Sequence, residues 1–200
     1  MSSWEQVHHD RGDDVSWFQE RPTTSVRMLD RCGIRVEESV VDVGGGGARL
    51  VDELLHRGHE DLTVLDVSAV ALRRAARRLG PQRARRVVWT VSDVLAWSPT
   101  RLFSVWHDRA AVHFLVDDEQ VSGYVARVHA ALAPGGALVV ATFAPDGPGR
   151  CSGLPVRRYH TDRLGELFGS DFDVVGTERE EHHTPWGAVQ PFSWVALRRH

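Results

Sequence analysis

Four consecutive glycines, Gly44 to Gly47, stand between a short β-branched run and a stretch whose apolar residues recur at helical spacing. A strand that ends in a glycine turn and reopens as a helix begins a βα unit, and the turn lets a ligand lie against bare backbone. The pattern then repeats. Strands are predicted over 39–43, 62–67, 87–91, 103–106 and 137–143, with helices over 48–57, 68–79 and 117–132 between them. Leu50, Val51, Leu54 and Leu55 share one face of the first of these helices. Ser68 caps the second, Gly80-Pro81 stops it, and Pro134-Gly135-Gly136 ends the third. A Pro- and Gly-rich loop over 144–155 and a short helix over 161–168 follow, then strands over 172–180 and 189–198 around a turn at 182–187. The two final strands lie too close for a crossover helix, so they must be antiparallel. The expectation is an α/β fold with a mostly parallel sheet and one reversed strand.

The chain of 200 residues suits one domain, with a core over 39–200 and an N-terminal segment over 1–38. A net charge of −3 argues against a nucleic-acid partner. All 24 basic residues are Arg, so no Lys is present for Schiff-base chemistry. Two cysteines, Cys32 and Cys151, do not make a disulfide framework. Residues 1–10 are polar and no run reaches about 18 apolar residues, so a cytoplasmic protein without a membrane partner is expected.

The glycine turn does not fit a dinucleotide. The G-x-G-x-x-G pattern puts Arg49 or Leu50 at its third glycine, depending on register. Acids surround the turn instead. Asp42 precedes it by two residues, Asp66 ends the second strand, and Asp93 follows the third. Asp66 is placed to accept from both hydroxyls of a ribose, and Asp93 to meet the exocyclic amine of an adenine. So many carboxylates match a phosphate poorly and a cationic nucleoside well. S-adenosylmethionine is such a ligand.

Asp42-Val43-Gly44-x-Gly46, Leu65-Asp66-Val67-Ser68, Ser92-Asp93-Val94 and Leu132-x-Pro134-Gly135-Gly136 resemble, in order and spacing, the motifs of class I S-adenosylmethionine-dependent methyltransferases. The family's third glycine is Ala48 here. The resemblance implies a Rossmann-like seven-stranded sheet of order 3-2-1-4-5-7-6, with strand seven antiparallel and helices on both faces. It also implies cofactor contacts from Asp42, Gly44, Gly46, Asp66, Val67, Ser68, Asp93 and Val94. Trp106-His107-Asp108-Arg109-Ala110 is similar to the strand-four segment of thiopurine- and tellurite-type methyltransferases, which would set Asp108 beside the methionine end of the cofactor.

The ligand of such a sheet lies beyond the carboxyl ends of its parallel strands. His107, Asp108, Arg109 and His113, then Cys151, then His182, His183 and Trp186 are therefore the pocket candidates. His113 and His107 are the expected bases, since an imidazole titrates near pH 6.5. Arg109 suits an anionic acceptor or a framework contact, and Cys151, His182 and Trp186 suit the acceptor. No Cys/His spacing matches a metal site. Trp17 and Phe18 make 15–22 a lid over the cofactor, with a flank-packed helix as the rival. The arginines from Arg73 to Arg86 fall on the outer, solvated face of a helix. No Asn/Asp-Pro-Pro-aromatic segment and no Pro-Cys pair follows strand four, so base methylation is not expected. The reading is methyl transfer to a small-molecule S, O or N acceptor. A protein side chain, or a soft metalloid or thiol, is the alternative, and a non-catalytic cofactor-binding scaffold is a third.

Overall fold

The hydrophobic run Val40–Val43 is buried from end to end as the central strand β1, flanked by β2 (Leu62–Asp66) and β4 (Phe103–Arg109). The computed structural model describes residues 3–10 and 14–200; residues 1–2 and 11–13 of the expected N-terminal segment lie outside the described residues. With β3 (Val87–Val91), β5 (Leu132–Phe143), β6 (Phe172–His183) and β7 (Val189–Arg199), the sheet has seven strands in the order β3-β2-β1-β4-β5-β7-β6. β7 runs antiparallel to both β5 and β6, and the remaining neighbours are parallel. This is the order and the reversed strand expected from the sequence. A small hairpin, Arg150–Cys151 with Leu154–Pro155, stands apart from the sheet.

Alternate residues of the buried strands feed two cores. Val40, Val64, Val105, Val139 and Trp194 face one side, where Met28 and Leu29 of α2 (Thr23–Arg31), Leu50 and Leu54 of α3 (Leu50–His56) and Leu72 of α4 (Ala69–Ala84) pack on them. Val41, Leu65, Trp106, Val140 and Val195 face the other, under Tyr124 and Val128 of α5 (Asp118–Ala131) and Leu164 of α6 (Thr161–Glu166). Helices on both faces explain why the central strands read as continuous apolar runs. The Ser68 hydroxyl caps α4 by accepting from the Ala71 amide at 3.1 Å, and the helix breaks at Gly80, whose φ is +76°.

Several boundaries differ from expectation: β5 already begins at Leu132, α4 carries on past its break at Gly80 to Ala84, and β6 runs on to His183. β4 continues through His107, Asp108 and Arg109, where 103–106 was expected, because each of these polar residues finds a partner inside the fold. At the N-terminus, Ser3–Asp10 is helical (α1), although its composition is polar. Among the described residues, no helix is long and apolar enough to cross a membrane.

Candidate active site

The turn after β1 is shaped by its glycines and two carboxylates. Gly44 has φ +70°, and a Cβ there would meet the Ala111 Cβ at 2.8 Å. A Cβ on Gly46 would lie 2.7 Å from Asp66 Oδ2, the atom to which the Gly46 amide donates at 3.0 Å. The other Asp66 oxygen accepts from the Ser68 amide at 2.8 Å. Asp66 thus fastens the glycine turn to the start of α4. Burial pushes its carboxyl up to about 6, against the pull of these two amides, with Asp42 and Glu5 adding to the rise.

Beyond the strand ends lies a cavity of about 210 Å³. On the β2–β3 side of the sheet its lining is Asp66, Val67, Asp93 and Val94, on the β5–β7 side it is Phe143, Cys151 and Phe192, and Phe114, Trp4 and Trp17 also line it. A second chamber of about 40 Å³ is bordered by the glycine turn, Phe18, Asp42, His107 and Arg49. Trp17, Val43, Gly44 and Arg109 border both.

The N-terminal segment is held against the residues around this site through Trp4, Glu5, Ser16 and Trp17. Trp4 stacks edge-on against Trp17 at 5.9 Å and Phe114 at 4.8 Å. The Glu5 carboxylate accepts from the first amides of α4, Ala69 at 2.6 Å and Val70 at 3.4 Å. His182 Nε2 donates to the Ser16 carbonyl at 2.6 Å, and Arg109 Nη1 to the Trp17 carbonyl at 3.0 Å.

The expected residues separate into four groups. Gly44, Asp66, Val67, Asp93, Val94, Trp17, Arg109 and Cys151 border the main cavity. Asp42 and His107 border the small chamber, where His107 Nδ1 donates to Asp42 Oδ1 at 2.7 Å. Asp42 Oδ2 and His107 Nε2 are buried there without a partner among the described residues. Gly46 and Ser68 act through their amides on Asp66.

The others sit outside both spaces. Asp108, expected beside the cofactor, turns into the other core instead. It accepts from the amides of Ala111 (2.8 Å) and Val112 (3.1 Å) and from the Tyr124 hydroxyl (2.7 Å), and burial raises its carboxyl to about 6. This capture bends the chain so sharply that Ala110 takes φ +71°, an uncommon conformation for a residue with a Cβ. His113, expected as a base, packs between Phe114 and Phe143 with both ring nitrogens buried and without a partner among the described residues. Burial, and then Arg109, lower its pKa to about 3, so it is neutral. His182 serves the N-terminal segment, and burial lowers its pKa. Trp186 is 57% exposed on the final turn.

Sequence reasoning passed over Trp4, Glu5, Phe114, Phe143 and Phe192. The last three leave strand or turn ends that point to the site, which is a usable signal. The polar α1 carries none.

Residues 40–136 match the family model described as a methyltransferase domain. No curated protein sequence matches the chain. Among solved structures, the fold is similar to a 1,6-didemethyltoxoflavin-N1-methyltransferase of Burkholderia thailandensis, bound to 1,6-didemethyltoxoflavin and S-adenosylhomocysteine. The TM-score is 0.70 at 23% identity, over 96% of this chain and 80% of that one. It is similar to the N-methyltransferase NodS of Bradyrhizobium japonicum with S-adenosylhomocysteine, at TM-score 0.71 and 16% identity, over 98% and 97% of the two chains. It is also similar to the glycopeptide N-methyltransferase MtfA with sinefungin, at TM-score 0.71 and 17% identity, over 93% and 96%.

Proposed function

We propose that this chain, whose residues 40–136 match a methyltransferase domain, transfers the methyl group of S-adenosylmethionine to a small-molecule acceptor. The observation that carries the reading is the bipolar cavity: carboxylates of Asp66 and Asp93 at one end, Phe143, Phe192 and Cys151 at the other, with Trp4 and Trp17 of the N-terminal segment lining it as well. The residues fit the cofactor. Asp66 borders the cavity with lone pairs to spare for ribose hydroxyls, Gly44 presents bare backbone to it where a Cβ would collide with Ala111, and Asp42 Oδ2, without a partner among the described residues, suits an ammonium. When bound, S-adenosylmethionine supplies an electrophilic methyl group on a sulfonium.

The chain's own contribution is alignment and exclusion of water. Phe114, Phe143 and Phe192 make an apolar wall for the acceptor, and Trp4 and Trp17 add indole surface to the lining. Neither expected base reaches the main cavity. His113 is neutral behind Phe114 and Phe143, and His107 is held by Asp42 in the small chamber. An acceptor that is nucleophilic without help, an amine or a thiolate, fits this environment best. The three similar structures described as N-methyltransferases support nitrogen. The small volume, about 210 Å³, favours a compact acceptor over a protein side chain presented on a folded partner. The Cys151 thiol is held up by burial, so at neutral pH it is a wall residue rather than a thiolate ligand for a metalloid.

The test is release of S-adenosylhomocysteine from S-adenosylmethionine across panels of amines, thiols and phenols. Release with a small amine or thiol is expected. Release only with peptides, or with none of the panels despite cofactor binding, contradicts the reading.

A further inference from the structure

Arg109 leaves β4 into the space between the two chambers and borders both. Its guanidinium lies over the Phe192 ring at 4.6 Å, and Nη1 donates to the Trp17 carbonyl. Nε and Nη2 are sealed from solvent and have no partner among the described residues. Burial lowers its pKa, with Glu180 and Cys151 opposing. The nearby carboxylate, Glu180, already accepts from Gln19 at 2.8 Å and from the Trp194 indole at 2.9 Å. A buried cation whose donors are unmet is expensive to maintain, and a fold keeps one where a ligand meets the demand.

The unmet pair has a definite shape. Nε–H and Nη2–H form the side edge of a planar fork, which matches the two oxygens of a carboxylate and matches a neutral amide poorly. The edge is sealed as the structure stands, so engaging a ligand in the cavity that Arg109 borders involves a turn of the guanidinium away from the Trp17 carbonyl and Phe192. Cys151 and Phe192 surround it at the end of the main cavity away from Asp66 and Asp93, which is the acceptor's end in the proposed function. The small chamber, where the amino-acid part of the cofactor has Asp42, already contains another guanidinium, Arg49.

We propose that Arg109 recognises a carboxylate on the methyl acceptor, so that the substrate is a compact, aromatic or apolar acid. This rests on the proposed cofactor reading. A carboxylate at this point offsets the buried charge, orients the nucleophile, and bars neutral analogues.

The probe is benzoate, with benzamide as its neutral match, titrated by calorimetry into protein saturated with S-adenosylhomocysteine. Binding of S-adenosylhomocysteine alone is measured first, so failure of the cofactor reading shows at that step. Benzoate is then titrated into the unliganded protein, where a preference lost on Arg109 substitution still supports the anion site and its absence overturns it. In the saturated protein, benzoate should bind at least about tenfold tighter than benzamide, and Arg109→Gln should erase the preference while changing cofactor affinity less than about threefold. Arg109→Lys, which keeps the charge and removes the fork, should retain only part of it and guards against a folding defect in the glutamine variant. Equal binding of the two probes, or no binding of benzoate, overturns the proposal. So does an Arg109→Gln protein that keeps benzoate and loses S-adenosylhomocysteine, which would assign Arg109 to the carboxylate of the cofactor.

Discussion

The Glu5 carboxylate accepts a hydrogen bond from the Ala69 amide at 2.6 Å, tying the N-terminal helix to the first turn of α4 across the rim of the cavity. A negative group at a helix start satisfies amides that have no partner within the helix and meets the positive end of its dipole. The same residue sits close enough to Asp66 to raise its pKa. Through Glu5, therefore, the N-terminal helix is linked both to the start of α4 and to the carboxylate proposed to hold the ribose.

Glu5→Ala should loosen α1 without unfolding the core. The expected effect is a several-fold faster release of S-adenosylhomocysteine, equivalent to roughly 1 kcal/mol for a charged hydrogen bond at a helix start. Stopped-flow tryptophan fluorescence would follow it, since Trp4 and Trp17 both border the cavity. An unchanged release rate would remove the latch from the account.

Gly44→Ala tests the shape of the turn. The substitution places a Cβ 2.8 Å from the Ala111 Cβ on a residue with φ +70°. A loss of about 1–3 kcal/mol of stability and at least about tenfold in cofactor affinity is expected from chemical denaturation and calorimetry. Wild-type values in both would mean that the turn has room the structure does not show.

His113→Phe separates a structural imidazole from a base. The folded pKa of His113 is lowered to about 3 from 6.5, so its contribution to stability is fully present above pH 6.5 and is lost as the pH falls from there toward 3. The phenylalanine variant should match or exceed wild type at pH 7.5 and then gain about 1.4 kcal/mol on it for each pH unit below 6.5. Its turnover at pH 7.5 should stay within a few-fold of wild type. A collapse of turnover with cofactor affinity intact would restore His113 as the base.

Cofactor affinity should itself depend on pH. Asp66 has its carboxyl raised to about 6, so it is ionised above that value and accepts protons below it. Binding of S-adenosylmethionine should weaken between pH 7 and pH 5, because a neutral acid is a poorer acceptor for hydroxyls and offers nothing to a cation. Asp66→Asn should flatten this dependence and bind weakly at every pH. A wild-type profile with no slope through pH 6 would count against Asp66 as the contact.

Much of this frame was legible before any coordinates. Strand ends, the glycine turn and Asp66 could be read because buried parallel strands leave long apolar runs and the turn residues have few substitutes. Arg109 and His107 were found as residues but misplaced, since a polar triplet after Trp106 looks like a loop. In the fold Asp42, Tyr124 and Trp17 partner that triplet one residue at a time, and β4 continues through it. Asp108 shows the limit most plainly: it stands in the right segment, yet the direction of its side chain depends on two amides of the following turn. Trp186 failed for a related reason, because the final turn extends past the strand ends and carries it into solvent. Glu5 and Trp4 were invisible, since α1 is polar in sequence and takes its place through contacts with α4, Trp17 and Phe114 that the sequence does not announce.

Calorimetric titration of the purified protein with S-adenosylmethionine, beside NAD and beside the Asp66→Ala variant, bears most directly on the whole. Saturable one-to-one binding of S-adenosylmethionine, no heat with NAD, and at least about tenfold weaker binding by the variant are the results expected for a buried charged acceptor. Binding of NAD in preference, or an Asp66→Ala protein that takes up S-adenosylmethionine as well as the parent, would contradict it.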